Sequence, residues 1–396
     1  MPAPLLLDLT HTSHTRARTG IQRVTRSLHA ALGERALAIT HDPHAGAWRP
    51  LEAWEIANLT AENAATKRGA QWPLAAQIRG RVRRWLGRPG SITAQLSALM
   101  PGGLIVPEVF SPAVAAALPP LFAATQGPRV ALFHDAIALK YPELTPTKTV
   151  TRFPAYLHEL LAFDGIAAVS VDSRDSLLNY WRWLGLRDTP QVEAIPLGVD
   201  QRRSTMGDTS EPGGDPVVLC VGSLEGRKNH LALLDACERL WARGARFELQ
   251  LIGLAQPATG RAPLARVRAL QSAGRALRYD GPLGDAGVEA AYAACTFTVY
   301  PSLIEGFGLP VLESLAHGKP CICSAHGALG ESARDGGCIA LDIVNAPRLA
   351  DAIGRLLDAP AELAALAAAA RARKLRTWGD YASELVGWLG TLARRS

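Results

Sequence analysis

The chain has 396 residues, 48% of them hydrophobic and 20% charged, which excludes a disordered or fibrous protein. It is too long for one ordinary core, so two domains of roughly 200 residues each are expected. The 42 Lys and Arg against 36 Asp and Glu leave a mild net charge of +6, and with 6% aromatic residues and no nucleic-acid motif the sequence argues against a nucleic-acid partner.

The first residues, MPAPLLLDLTHTSH, lack a basic n-region and carry only a short apolar run, unlike a signal peptide. No apolar stretch reaches the roughly 18 residues that a membrane-spanning helix needs. A cytoplasmic protein is expected. His11 with His14, and His41 with His44, stand three apart, but neither pair has evident carboxylate or cysteine company. Loop or surface histidines are favoured over a metal site. Residues 77–88, QIRGRVRRWLGR, set five arginines around Ile78, Val82, Trp85 and Leu86 near helical spacing. This is either a solvated helix or loop, or a basic, apolar face for anionic lipid headgroups at the inner side of a membrane.

Short β-rich runs follow at 104–106, 130–133, 165–170, 192–196, 217–221, 247–252, 296–300 and 321–324, with helical patterns between many of them. Such alternation argues for doubly wound parallel sheets. His134 ends one of these strands, where α/β proteins keep ligand sites. The polar, Gly- and Pro-containing stretch 201–215 reads as a linker. The expected order is a first domain over 1–200, the linker, a second domain over 216–375, and a terminal helix over 376–396. The alanine-rich 359–373 reads as an ordinary surface helix. Six cysteines all lie in the second half, mostly within apolar runs, and read as buried free thiols.

Strand 217–221, VVLCV, runs into Gly222, then Arg227 and Lys228, then an amphipathic helix. A glycine turn and paired cations at a helix entrance suit phosphate, although a solvated Arg-Lys pair would look alike. Neither the Walker A nor the G-x-G-x-x-G pattern is present. Strand 296–300 leads into Glu305, Gly306, Phe307, Gly308, Leu309 and a short helix over 310–317 that carries Glu313. On one continuous helix, eight residues would separate the two carboxylates by about 80° and about 12 Å. The glycine turn breaks that helix, so both acids can serve one cleft. Pro310 suits the helix start and Gly318 its end. A helix N-terminus beside two carboxylates suits a ligand with both phosphates and hydroxyls, which a nucleotide sugar has. A capping turn with incidental surface acids is the plainer alternative.

VGSLEGRKN followed by YPSLIEGFGLPVLESLAHGKPC resembles the retaining glycosyltransferases of family 4, the group-1 glycosyltransferases. Glu305 and Glu313 match their Glu-x7-Glu signature. IPLGVD at 195–200, Phe133-His134-Asp135, Ala168-Val169-Ser170 with Ser173, Thr377-Trp378 and Thr19-Gly20-Ile21 resemble further segments of that family. The resemblance spans nearly the whole chain. It implies an α/β fold of two Rossmann-like domains facing across a cleft (GT-B), with the C-terminal helix crossing back to the first domain. It also implies that Glu305 contacts the donor sugar's hydroxyls, that Glu313 contacts the ribose, and that Arg227 and Lys228 hold the pyrophosphate. Gly306, Phe307, Gly308 and Leu309 complete the donor loop. Gly20 would let backbone approach the donor phosphate, and His134 would lie near the reacting carbon and the acceptor.

Ser223 departs from the Arg or Thr that many relatives carry, which leaves leaving-group charge to Arg227, Lys228 and helix dipoles. No Asp-x-Asp motif is evident, so the implied reaction needs neither metal nor cofactor. The implied donor is a nucleotide diphosphate sugar, GDP-linked with a mannose- or rhamnose-type hexose, and the acceptor a glycan or lipid-linked glycan in surface polysaccharide assembly. An epimerase or phosphorylase on the same scaffold, or a non-catalytic nucleotide-sugar-binding protein at a membrane, remains the alternative.

Overall fold

The computed structural model describes residues 4–17, 20–61, 69–87, 100–200 and 214–395. It divides into two compact units. One comprises Met1–Ala136, Lys148–Gly198 and Trp378–Ser396, and the other Ile137–Thr147 and Val199–Thr377. Most of the 201–215 stretch lies outside the described residues.

The first unit is built on β1 (Leu5–Asp8), β2 (Ala36–Asp42), β3 (Ala47–Pro50), β4 (Gly103–Val106), β5 (Arg129–Phe133), β6 (Gly165–Ala168) and β7 (Gln191–Ala194). Their order is β3-β2-β1-β4-β5-β6-β7. Only β3 runs antiparallel, at the edge beside β2. The central strands LLLD, GLIV, RVALF and GIAA are buried along their whole length. Helices cover both faces of such a sheet, so its strands read as continuous apolar runs rather than alternating ones. β1 pairs with β2 on one side and β4 on the other, so the strand order reverses between β1 and β4.

The second unit carries β8 (Val217–Val221), β9 (Glu248–Ile252), β10 (Leu277–Tyr279), β11 (Phe297–Tyr300), β12 (Cys321–Ser324) and β13 (Cys338–Leu341). All its pairs are parallel, in the order β10-β9-β8-β11-β12-β13. The order reverses between β8 and β11. Leu219, Leu249, Leu251, Phe297 and Ile322 are fully buried in this sheet.

The sequence reading placed β4 to β9, β11 and β12 to within a few residues. It missed β1, β2, β3, β10 and β13. β2 hides because its end is polar yet buried: Thr40, His41 and Asp42 pair with β3 and with the loop after β1. β10 has only three residues, and β3 ends on a proline.

The terminal helix Trp378–Leu389 belongs to the first unit. Glycines make room for it and for the chain beyond. A Cβ on Gly103 of β4 would stand 2.9 Å from Leu389, and one on Gly165 of β6 would stand 2.5 Å from Leu392 and 2.7 Å from Trp388. Asp164 then locks the chain end. It accepts from Arg129 Nε at 2.7 Å and from the Arg395 backbone N–H at 2.6 Å.

Candidate functional site

Open α/β sheets bind ligands beyond the carboxyl ends of their strands, where the strand order reverses. In the second unit that place lies beyond β8 and β11. The two segments singled out in the sequence are the loops leaving these two strands.

After β8, residues Gly226–Lys228 form one 3₁₀ turn, and Asn229 adopts a left-handed conformation at φ 54° before the helix His230–Ala242 begins. The Asn229 amide donates to the Val344 carbonyl at 3.0 Å, which holds this unusual backbone. Loop closeness is enforced by glycine: a Cβ on Gly253, after β9, would stand 2.0 Å from the Gly222 carbonyl oxygen.

After β11, the helix Leu309–Ala316 starts one residue earlier than expected, with Gly308 as its N-cap at φ 106°. A Cβ on Gly308 would also press on Leu329 at 3.0 Å. Pro310 therefore takes the second helical position, where its missing N–H still costs nothing. Gly318 ends the helix at φ 67°. Phe307 is half-buried and its carbonyl accepts from Ser332 Oγ at 3.0 Å. Gly306 is half-buried, while Gly308 and Leu309 are buried.

The loops meet through charge. Glu305 pairs with Arg227 at 2.6 Å and with Lys228 at 2.6 Å. Arg227 also pairs with Glu225 at 2.8 Å. The Leu303 N–H donates to the Arg227 main-chain carbonyl at 2.9 Å, which fixes the two loops backbone to backbone. Burial pushes the Glu305 carboxyl up, but Lys228 and Arg227 more than offset it and hold the group at about 2. Burial lowers Lys228 despite the help of Glu305. Arg227 is penalised by burial yet raised further by Glu305 and Glu225. The site thus concentrates two cations whose charge is costly to bury and whose partners are carboxylates.

Sequence reasoning missed two tyrosines. Tyr300, the last residue of β11, was read as strand only. Its buried hydroxyl accepts from Lys228 Nζ, which also lies 4.5 Å from the ring centroid. Tyr292, in the helix Asp285–Ala294, donates to Glu313 Oε2 at 3.2 Å and stacks on His317 at 4.8 Å. His317 in turn meets the Glu313 carbonyl at 2.8 Å and Glu289 at 3.1 Å. No local pattern signals Tyr292, because it reaches Glu313 from another helix. The two glutamates of the motif therefore have distinct surroundings: Glu305 among cations, Glu313 beside a phenol and a histidine.

In the first unit, His134 follows β5 and is buried. Its Nε2 lies 2.7 Å from the Pro107 carbonyl, so that nitrogen carries the proton and donates. Burial lowers its pKa, against the pull of Pro107 and Asp135. Gly20 opens the helix Gly20–Leu32, exposed, with nothing within 4 Å of where a Cβ would be. Its neighbour Thr19 lies outside the described residues.

One sequence expectation is corrected here. His14 does have carboxylate company: it is buried and its Nε2 lies 2.6 Å from Glu55. Arg49 completes the group with Glu55 at 2.6 Å and Asp42 at 3.0 Å. These partners are too distant in sequence to be seen together. Among the described residues, no group of three or more His, Cys, Asp or Glu is placed to hold a metal ion. All six cysteines are free, five of them buried.

Residues 215–359, which carry both loops, match the family model "Glycosyl transferases group 1". This segment is a group-1 glycosyltransferase domain. Among curated relatives, the O-antigen chain mannosyltransferase B of Escherichia coli is 28% identical over 228 residues, 53% of this chain and 56% of the relative. The MMP alpha-(1->4)-mannosyltransferase of Mycolicibacterium hassiacum is 30% identical over 201 residues, 50% of this chain and 47% of the relative. The chain thus spans about half the length of these relatives. Among solved structures, Anabaena Alr3699/HepE in complex with UDP and glucose superposes with a TM-score of 0.69 at 16% identity, covering 98% of this chain and 100% of that one. At that identity the likeness carries the fold, a GT-B pair of Rossmann-like units.

Proposed function

We propose that the chain is a retaining, metal-independent hexosyltransferase. It would move a mannose- or rhamnose-type hexose from a nucleotide diphosphate sugar, GDP-linked by preference, to a glycan or lipid-linked glycan in surface polysaccharide assembly. The observation that carries this reading is the meeting of Arg227, Lys228 and Glu305 beyond β8 and β11. Two fixed cations there suit a diphosphate leaving group, and the carboxylate between them suits sugar hydroxyls. The mannosyltransferase names of two curated relatives support the choice of sugar.

This arrangement suggests how binding and chemistry connect. Glu305 pairs with both cations. A diphosphate offers them more oxygens and more charge, so it draws Arg227 and Lys228 toward itself. Glu305 then turns hydrogen-bonding capacity to the donor sugar, which binds beside the diphosphate. Glu313, held by Tyr292, takes the ribose, and the N-terminus of the helix Leu309–Ala316 faces negative charge. In this reading His134 serves the acceptor and the reacting carbon, and Gly20 the donor phosphate. With its Nε2 proton committed to Pro107, His134 acts as a neutral, oriented ring.

The test is incubation of the pure protein with a panel of nucleotide sugars and a glycan acceptor, followed by assay for released nucleoside diphosphate and anomeric analysis of the product. Release of diphosphate with α-to-α transfer supports the proposal. Binding without turnover across the panel, or inversion, overturns it. Titration with GDP, UDP and dTDP separates the donor bases.

A further inference from the structure

We propose that the outer face of the helix Leu74–Trp85 docks on an anionic lipid bilayer. The proposal rests on the reading that the acceptor is carried on a lipid, because such an acceptor must be met at a membrane surface. Among the described residues no helix is long and apolar enough to cross a membrane.

The helix is seated by its smallest residues. Ala76 and Gly80 are buried against the first unit. A Cβ on Gly80 would stand 2.7 Å from His44 Cβ and 3.1 Å from Asp42 Oδ1, so the backbone itself makes the contact. That closeness fixes the rotation of the helix about its axis. At about 100° per residue, Leu74, Ile78, Val82 and Trp85 fall within an arc of roughly 80° centred nearly opposite Ala76 and Gly80. These side chains are 76%, 58%, 47% and 84% exposed. An ordinary surface helix shows the reverse, with large apolar residues inward and polar ones outward. A contiguous apolar stripe of this kind marks an interaction site.

The charges on its flanks identify the occupant. On one side, Arg79 and Arg83 pair with Glu52 at 2.6 and 3.3 Å, which ties the helix to the unit and neutralises part of their charge. On the other side, Arg81 and Arg84 are exposed, and among the described residues neither has an acidic partner. Arg88 lies outside the described residues. A protein groove taking this stripe would have to desolvate those arginines or supply acids for them. At a bilayer, long basic side chains reach the headgroups while the apolar stripe enters the acyl boundary, and tryptophan favours that boundary. The pairing with Glu52 narrows the electrostatic part to Arg81 and Arg84 rather than all the arginines of the segment.

The test is co-sedimentation of the full chain with phosphatidylglycerol-containing vesicles and with pure phosphatidylcholine vesicles, at low and high salt. The wild type is expected to bind the anionic vesicles and to release with salt. Arg81→Ser with Arg84→Ser should weaken binding about 25-fold, from about fivefold per cation near an anionic surface. Ile78→Ser with Trp85→Ser should weaken binding to the same vesicles while leaving its salt dependence intact. Nucleoside diphosphate affinity, measured on the same samples, should stay at the wild-type value in both variants. It reports folding and the donor site separately, so a docking failure leaves the transferase reading standing. Wild type that ignores anionic vesicles, or variants that bind them as well as wild type, overturn the proposal. So does a dimer in solution that Ile78→Ser with Trp85→Ser converts to monomer without changing vesicle binding, since a second copy would then be the occupant.

Discussion

Glu305 and Lys228 meet at 2.6 Å although 77 positions separate them in the chain. Their loops leave β11 and β8, which are neighbours in the sheet. The pair is buried, with Arg227 on the other carboxylate oxygen and the Tyr300 hydroxyl on the ammonium. The cations proposed for the diphosphate and the acid proposed for the sugar are thus one electrostatic unit.

Lys228→Ala and Arg227→Ala should each weaken nucleoside diphosphate binding. A charge-assisted hydrogen bond is worth about 1.5–3 kcal/mol, so the loss should be about tenfold or more. Nucleoside without phosphates should bind nearly as before. Calorimetric titration with both ligands checks this, and unchanged diphosphate affinity would put the phosphate site elsewhere.

Glu305→Gln should slow transfer while leaving free diphosphate binding intact or tighter, because the carboxylate that occupies both cations is gone. Glu313→Gln should weaken free nucleotide binding, and Tyr292→Phe should do so less, by removing a 3.2 Å hydrogen bond that holds Glu313. Equal losses of nucleotide affinity for both glutamate variants would contradict their separate roles. Stability gives a second readout on Glu305. Its folded pKa is about 2, below the ordinary carboxyl value, so its contribution is present above about pH 4.5 and is lost as pH falls toward 2. Acid melting of the wild type against Glu305→Gln should converge over that range.

A second carboxylate pair makes the opposite forecast. Asp8 ends β1 and Glu108 follows β4, at the place where the strand order of the first unit reverses. Burial raises both to about 7, with Glu108 adding to the rise at Asp8. Acids held above their unfolded values bind protons more tightly when folded, so stability should fall as pH rises from about 4 to about 7. Asp8→Asn keeps an oxygen that can accept from Thr10, whose N–H lies 2.9 Å from Asp8. The variant should stabilise the protein by on the order of 1–3 kcal/mol at pH 8 and by almost nothing at pH 4. Denaturant melts at the two pH values check the sign. A variant less stable at pH 8 than wild type would show that both carboxylates are charged and fully compensated.

Transfer should survive chelation of divalent ions, since Arg227 and Lys228 supply positive charge where a metal would otherwise stand. Complete loss of activity with a chelator, restored by Mn²⁺ or Mg²⁺, would refute this.

The sequence by itself determined most of the strands that are buried on both faces, because a parallel strand between two helix layers must be apolar throughout; β1, whose four residues end on a buried aspartate, escaped it. It also determined the two glycine loops, since left-handed backbone and a helix start leave local marks, as at Gly308, Pro310 and Gly318. Arg227, Lys228 and Glu305 were singled out with these loops, and the structure brings the three together, while Glu313 meets Tyr292. The tertiary structure alone decided which side chains meet. Glu305 finds its cations because β8 and β11 pair, Glu313 finds Tyr292 because the tyrosine hydroxyl reaches it from a separate helix, and His14 finds Glu55 because a polar loop is buried. It also decided the direction in which the helix Leu74–Trp85 faces. Spacing told that apolar and basic residues alternate there, but only the close seat of Gly80 turned the apolar ones outward. Contacts between distant segments depend on packing and strand order, which no local periodicity encodes.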